Sequence, residues 1–388
     1  MKKPTRVNHQ PRVQLPEGNE SLTSPIYQSV KFTFESLEAT LSQEARESGF
    51  NYTRDANPTT RQLELLAAEM QDRDAAIAVA TGMAAVWLTM LGNLKTGDRI
   101  VFFLESYRPS RIAIRRFLPR MGIEHTMVSI HDHDAIEREL SRDDTQLLFF
   151  ESPSNPMLPV ADSEKSTTLA RSYDVVTALD NTFAGLHNHG RFDIDYYIHS
   201  LTKYANGHGD TMGGLVIGAK ERIKALKPLA VNMGPTLDPG AAFLILRGLK
   251  TYYLRYRQHT ENAQAIAKWL EGHDRVSRVY YPGLHSDPGY KLANAQMEDM
   301  GGVLSFELDA DKAGAQAFID ALSLFATTAS LGSTESLVSP VRLFLASDLS
   351  AEELEASMIT DSTIRLAVGV EHPDDLIADL EQAFAAIG

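Results

Sequence analysis

No cysteine occurs anywhere in the 388 residues. That excludes a disulfide scaffold, a thiolate metal site and a cysteine nucleophile, and is neutral about compartment. Basic charge is also in short supply. Lys and Arg number 37 against 51 Asp and Glu, a formal net charge of −14, so no nucleic-acid partner is expected. A phosphorylated small molecule stays compatible, because a few well-placed donors suffice to hold one. Internal repeats and low-complexity stretches are missing as well. Apolar residues make up 43% and charged residues 23%, which is the profile of a globular chain and not of a fibre or a disordered one. No apolar stretch follows the basic amino end, Met1 to Arg6, so no signal peptide is expected.

Long hydrophobic runs are almost absent. The exception, Ala75 to Leu94, goes twenty positions without a charge, the length of a membrane span. Its pattern argues otherwise. Ala75–Ala80 reads as a buried strand, Thr81-Gly82 as a break and Met83–Leu94 as a buried helix. Ala and Gly dominate where a membrane helix is rich in Leu, Ile and Phe. No membrane association and a cytoplasmic location are therefore expected.

At about 150 residues per domain, the length suggests two or three domains. The division expected is an amino-terminal arm over 1–50, a ligand-binding domain over 51–240 and a carboxy-terminal domain over 241–388. The arm is weakly periodic, with one short helix at Ser36–Arg46. A helix opens at Asn57-Pro58-Thr59-Thr60 and runs to Arg73, with Leu63, Leu66, Ala67 and Met70 on one face. Strand-like runs follow at 75–80, 99–104, 124–130, 146–151, 175–180 and 214–218, with helical stretches near 82–94, 107–120, 133–141 and 163–173 between them. Such alternation signals βαβ units and a mostly parallel sheet covered on both faces. One long helix is expected over Pro239–Leu270, then strands near 278–281, 303–308 and 363–368 with helices near 312–322 and 372–386. Ser339–Asp361 reads as a surface loop holding a short helix at Ala351–Ala356.

Ligands of such sheets sit at the carboxyl ends of the strands. Lys203, in Ser200-Leu201-Thr202-Lys203-Tyr204-Ala205-Asn206-Gly207-His208-Gly209-Asp210, follows an apolar strand. Buried there, its ammonium would be desolvated and its pKa lowered, as imine formation with an aldehyde requires. Taken alone, it reads as a surface lysine in a glycine-rich loop. Three other strand ends change that. Asp180 closes 175–180, where a carboxylate would keep a pyridine nitrogen protonated, as pyridoxal 5'-phosphate chemistry needs. The Thr81-Gly82-Met83 turn opens a helix whose free N–H groups suit a phosphate, with Ser200 and Thr202 as further donors. Tyr107 follows 99–104 and could stack on the pyridine ring.

With these residues the chain resembles the pyridoxal-phosphate enzymes of cysteine and methionine metabolism: cystathionine γ-synthase, cystathionine γ- and β-lyases, methionine γ-lyase and O-acylhomoserine sulfhydrylases. The resemblance runs from about Ser24 to Ala385. Asn51-Tyr52-Thr53-Arg54 with Asn57-Pro58-Thr59 resembles the segment whose Tyr and Arg reach the cofactor phosphate of the neighbouring subunit. Ala80 to Ala85 resembles the phosphate turn, including Gly82 and Met83. Glu151-Ser152-Pro153-Ser154-Asn155-Pro156 resembles the loop whose Asn approaches the substrate. Asp180 to Phe183 matches the pyridinium partner, and Ser200 to Asp210 the loop whose lysine carries the cofactor. Ser330-Leu331-Gly332, Glu335-Ser336-Leu337 and Ile364 to Gly369 match the substrate-carboxylate site, with Arg365 as its clamp. The resemblance implies an aspartate-aminotransferase-like (fold type I) α/β fold with a mostly parallel central sheet and a smaller carboxy-terminal α/β domain. It also implies a homo-oligomer, a dimer of dimers, whose Tyr52 and Arg54 act in trans. The activity implied is elimination of a thiol from a sulfur amino acid, with replacement at Cγ of an O-acylhomoserine as the alternative; Lys203, Tyr107 and Asp180 would be catalytic.

The departures bear on substrate choice. The family follows its stacking tyrosine with Gly-Gly-Thr; here Arg108-Pro109-Ser110 follow Tyr107, which puts an arginine within reach of the substrate pocket. The Met-Thr-His segment is replaced by Val341-Arg342-Leu343-Phe344 after Pro340. Where cystathionine-processing γ-enzymes often carry Glu, this chain has Ala329, so uncharged substituents are expected to be favoured over cystathionine. An inward Arg108 would repel the distal ammonium too, with Glu335 the acid able to stand in. His187-Asn188-His189 and His131-Asp132-His133-Asp134 are expected to be solvated loop residues, not metal ligands. Arg111, Arg115, Arg116 and Arg120 read as a solvated or subunit-contacting face. Two rival classes are a cofactor-binding protein whose substrate site Arg108 blocks, and a metal hydrolase built on the His pairs.

Overall fold

The computed structural model describes residues 15–42 and 49–387. Part of the expected 36–46 helix lies outside them, as does the amino-terminal hexapeptide; Leu37–Leu41 is helical. Seven strands form the first sheet: β1 (Ala75–Val79), β2 (Arg99–Phe103), β3 (Glu124–Val128), β4 (Thr145–Glu151), β5 (Val176–Asp180), β6 (Tyr196–Ser200) and β7 (Gly214–Gly218). Their spatial order is β1-β7-β6-β5-β4-β2-β3. Only β7 runs against its neighbours, β1 and β6. The other pairs are parallel.

Period-two alternation explains why these strands are apolar throughout. Ile100, Phe102, Leu147 and Phe149 face one buried cluster, while Val101, Phe103, Leu148 and Phe150 face another on the opposite side. Both faces are covered, so no polar alternation survives in the sequence. The charge-free run resolves into β1 and the helix Gly82–Asn93. Among the described residues, no helix is long and apolar enough to cross a membrane.

A second sheet contains β8 (Val276–Tyr280), β9 (Val303–Leu308), β10 (Ala326–Thr327), β11 (Leu337–Pro340) and β12 (Thr363–Ala367), in the order β10-β11-β12-β9-β8. Three expectations need correction. The single helix over 239–270 is two, Pro239–Leu249 and Tyr252–Glu271. Gly248 O accepts from Thr251 N–H at 3.1 Å and from Arg255 Nη2 at 2.9 Å, which ends the first helix. The 107–120 helix is a short α turn at Arg108–Ile112, a π turn at Ala113–Phe117 and a 3-10 turn at Leu118–Met121; Pro119 lacks the N–H that a regular helix would use. The 339–361 stretch is no surface loop. Ser339 and Val341 are buried, and β11 with a helical turn at Val341–Phe344 precedes the helix Ala351–Ala356. Scattered polar residues hid that core contact.

Candidate active site

The carboxyl ends of β1, β2, β4, β5 and β6 share one edge of the first sheet, and Ser330 and Arg365 reach it from the second. Between them lies a cavity of about 380 Å³ whose wall includes Gly82, Tyr107, Asp180, Lys203 and Arg365. Met83, Asn155, Ser200, Thr202 and Ser330 line it as well. Tyr52 and Arg54 do not. They stand together on the surface, Arg54 over the Tyr52 ring at 5.2 Å, both more than a third exposed.

Lys203 is placed from both sides. Its Nζ donates to Ser330 Oγ at 2.9 Å. Behind it, Arg255 Nη1 donates to Tyr204 O at 2.9 Å, tying the lysine loop to the helix Tyr252–Glu271. Glycine is required in that loop. Gly207 has φ +75°, and a Cβ there would lie 1.7 Å from Arg255 Nη1. Burial, and Arg365 after it, lower the Lys203 pKa to about 8 against the pull of Asp180. A substantial neutral fraction is thus present near neutrality.

Asp180 stands half-buried at the end of β5. Its hydrogen bonds come from Thr182 alone among the described residues, the hydroxyl at 2.6 Å and the N–H at 3.2 Å. Burial raises its pKa to about 6, with Thr182 and Lys203 opposing. Thr182 was not singled out in the sequence, although Asp-x-Thr at a strand end is a local side-chain hydrogen-bonding signal. Glu151 closes β4. Its carboxyl sits beside Asp180 in register and accepts from the Tyr107 N–H. Burial and the Asp180 charge drive its pKa well up. The Tyr107 phenol is likewise raised, by burial and then by Glu151 and Asp180.

The turn at the end of β1 fits a phosphate. Thr81 Oγ1 accepts from Ala84 N–H at 3.0 Å and Thr81 O from Ala85 N–H at 3.2 Å. The N–H groups of Gly82 and Met83 are left without an acceptor among the described residues. A Cβ on Gly82 would fall 2.8 Å from Ser200 Cβ, so only glycine lets the turn close on the Ser200 strand end. Gly82→Ala should weaken cofactor binding about tenfold or more, measured as the dissociation constant of pyridoxal 5'-phosphate from refolded protein. Unchanged affinity would remove this turn from the cofactor site.

Arg365 on β12 is buried and, among the described residues, has no carboxylate partner. It donates to Asn155 Oδ1 at 2.8 Å, Ser330 O at 2.7 Å and Ser339 Oγ at 3.4 Å, and its buried Nε has no acceptor. Burial lowers its pKa to about 10, which still leaves it charged at neutral pH. A buried cation of this kind is costly without an anion.

Two expectations about charge fail here. Arg111 is no solvated residue: it is 1% exposed and grips Asp348 through Nη2 at 2.7 Å and Nε at 3.1 Å. His187 and His189 are not solvated either. His189 is buried, its Nδ1 2.7 Å from Asn181 Oδ1, and burial lowers its pKa to about 3. It is a neutral ring bracing the turn after Asp180. His187 lies 2.7 Å from the Tyr252 hydroxyl. Among the described residues no three His, Cys, Asp or Glu side chains could hold a metal together. Glu335 is exposed and outside the cavity, whereas Ala329, Arg108 and Phe344 line it.

The model of a family described as Cys/Met metabolism PLP-dependent enzymes matches residues 6–385. A curated relative, L-methionine gamma-lyase of Fusobacterium nucleatum subsp. polymorphum, is 37% identical over 95% of this chain and 94% of its own. Cystathionine gamma-synthase 1, chloroplastic, of Nicotiana tabacum is 35% identical over 95% of this chain and 69% of its own. Among solved structures, cystathionine gamma synthase from Xanthomonas oryzae pv. oryzae, in complex with aminoacrylate and cysteine, superposes with a TM-score of 0.91. That structure has 32% identity and is covered over 96% of this chain and 95% of the other.

Proposed function

This chain belongs to the pyridoxal-phosphate-dependent enzymes of cysteine and methionine metabolism, and on that premise we propose that it eliminates a thiol from a sulfur amino acid of the methionine, homocysteine or cystathionine type. The observation that carries this is the part played by Ser330. Its hydroxyl takes the Lys203 amine and its carbonyl the Arg365 guanidinium, so an amine site and a carboxylate site face each other across one residue. An α-amino acid has that spacing of groups.

Arg365 binds the substrate carboxylate, its planar fork matching two oxygens, while Asn155 holds the fork in place. Pyridoxal 5'-phosphate, bound by Lys203, supplies the electron sink for a carbanion at the substrate Cα. Asp180 would supply the negative charge that keeps the ring nitrogen protonated, and Gly82, Met83, Ser200 and Thr202 would offer donors to the phosphate. The Lys203 amine, when free, would take the proton from Cα. Tyr107, on the cavity wall, would stack on the ring and, with its proton retained, can donate to the departing group.

Replacement at Cγ of an O-acylhomoserine is the second reading, favoured by the likeness to a cystathionine gamma synthase structure. The two share the steps at Cα, so Lys203 and Arg365 serve both. Incubation with methionine, homocysteine, cystathionine and O-acylhomoserines, scored for thiol, 2-oxo acid and replacement product, separates them. Cofactor-loaded protein that forms none of these products is not such an enzyme.

A homo-oligomer, with Tyr52 and Arg54 completing the partner's phosphate site, is part of the proposal. Their placement outside their own chain's cavity supports it. A cytoplasmic location, suited to an amino-acid substrate, is proposed too. Mixing inactive Lys203→Ala with inactive Arg54→Ala protein should restore activity after subunit exchange, since one site of each mixed pair is unmutated. Continued inactivity with exchange demonstrated by mass would assign Arg54 to its own subunit.

A further inference from the structure

Arg108 lines the cavity with a positive charge that is only partly balanced. It pairs with Asp348, whose Oδ1 is 3.7 Å from Arg108 Nε. That carboxylate is already committed. Arg111 donates to both of its oxygens, at 2.7 and 3.1 Å, in the forked geometry that makes such pairs strong. Arg108 makes no hydrogen bond among the described residues, and its Nε is buried without an acceptor. Two guanidinium groups therefore share one carboxylate, and the surplus charge faces the cavity.

Pro109, Ala329, Phe344 and Leu345 line the same cavity as Arg108 and add no charge to it; the acids on the wall are Asp180 and Glu151. Glu335 is exposed outside the cavity, Asp348 is held by Arg111, and Glu151 is engaged beside Asp180 with the Tyr107 N–H, so none of these acids is free to serve an ammonium beside Arg108. A substituent with a terminal carboxylate satisfies Arg108; one with an ammonium meets repulsion and no partner.

We propose that Arg108 is a specificity-determining residue that recognises a carboxylate at the far end of the substrate's γ-substituent. The preferred substrates then carry an acidic, ammonium-free substituent, such as the half-ester of a dicarboxylic acid on homoserine. The proposal rests on the amino-acid site proposed above and adds what lies beyond Cγ. Arginine at position 108 is a feature of this chain, where glycine would place no charge beside Pro109.

The test uses cofactor-loaded enzyme and two matched pairs of probes. O-succinyl- and O-acetylhomoserine serve for replacement, and S-(2-carboxyethyl)homocysteine and methionine for elimination. In whichever pair is turned over, the carboxylate-bearing member should have the higher kcat/KM, by about tenfold or more. Arg108→Gln should reduce that ratio about tenfold, and Arg108→Lys should recover part of it. Cofactor absorbance and melting temperature check that the variants are folded and loaded. Preference for the uncharged members, a ratio unmoved in Arg108→Gln, or turnover of neither pair by loaded enzyme overturns the proposal. Failure to bind the cofactor at Lys203 overturns the functional reading instead, and borohydride trapping detects that separately.

Discussion

Lys203→Ala protein should lose activity by about 10³-fold or more, because one change removes both the cofactor's attachment and the base at Cα. The effect is expected to be larger than for any other single substitution in the cavity. Lys203 is the only lysine of the cavity wall, and its amine is held 2.9 Å from Ser330 Oγ, so no neighbouring amine can replace it. The variant should also lose the visible absorbance of the unmodified protein. In that unmodified protein, borohydride reduction and peptide mapping should place the pyridoxyl label on Lys203. A label on another lysine, or activity kept within tenfold of the parent, would require a different base and a different site.

Asp180→Asn should cost about 10²- to 10³-fold in kcat, the scale seen when a preorganised electrostatic partner is removed. The substitution is nearly isosteric and keeps an acceptor for Thr182, so the loss would report charge and not packing. The titration of Asp180 gives a second readout. Its carboxyl, raised by burial to about 6, is ionised above that pH and neutral below it. The ionised form is the one that pairs with a protonated ring nitrogen. Cofactor affinity of the refolded protein should therefore fall as pH drops through about 6, and this acid limb should be absent in Asp180→Asn. An identical limb in the variant would assign it to another group.

The folded-state raise of this pKa also fixes the sign of its effect on stability. Below the unfolded pKa both states carry a neutral carboxyl and the group contributes nothing. As pH rises toward the folded value, the unfolded state ionises first, and cofactor-free protein is destabilised. A bound cationic ring offsets that cost by supplying the missing partner. Loading with cofactor should thus stabilise the protein more at pH 8 than at pH 5, a difference that melting temperatures would reveal.

Much of the cavity was legible because its residues sit at strand ends. Strands buried on both faces appear as short apolar runs, and the first polar residue after each run marks the edge where ligands bind. Lys203, Asp180, Tyr107 and the Gly82 turn were all located in that way, and the structure brings them around one space. Ser330 and Arg365 could be placed only through resemblance, since they come from the other sheet and no local pattern links them to Lys203. Thr182 and Glu151 were passed over for a different reason. Each acts on a neighbouring group, one holding Asp180 and the other accepting the Tyr107 N–H, and a side chain's partner is not visible in its own sequence neighbourhood.

Charged and polar side chains were where the sequence misled. Arg111 and His189 lie in segments dense with polar residues, which read as solvated. Both are buried because distant groups satisfy them: Asp348 binds Arg111, and Asn181 holds the ring of His189. The same is true of 339–361, whose polar residues concealed β11 and the turn that puts Phe344 against the cavity. Burial of a polar group depends on its hydrogen-bonding partner, and partners far apart in the chain meet only in the fold.

By itself, the sequence determined the kinds of chemistry this protein can carry: no thiolates, an aldehyde-reactive lysine after a strand, an acid at the next strand's end and a glycine turn for a phosphate. It determined the parallel sheet too, because period-two burial on both faces is a local property of the chain. Only the tertiary structure decided how charge is distributed in the cavity. Among the described residues Arg365 is left without a carboxylate partner, and Asp348, gripped by Arg111, is shared with Arg108. The reason is physical: ionisable groups in low dielectric are governed by which partners lie within a few ångströms, and those distances arise only when the two sheets close on one another.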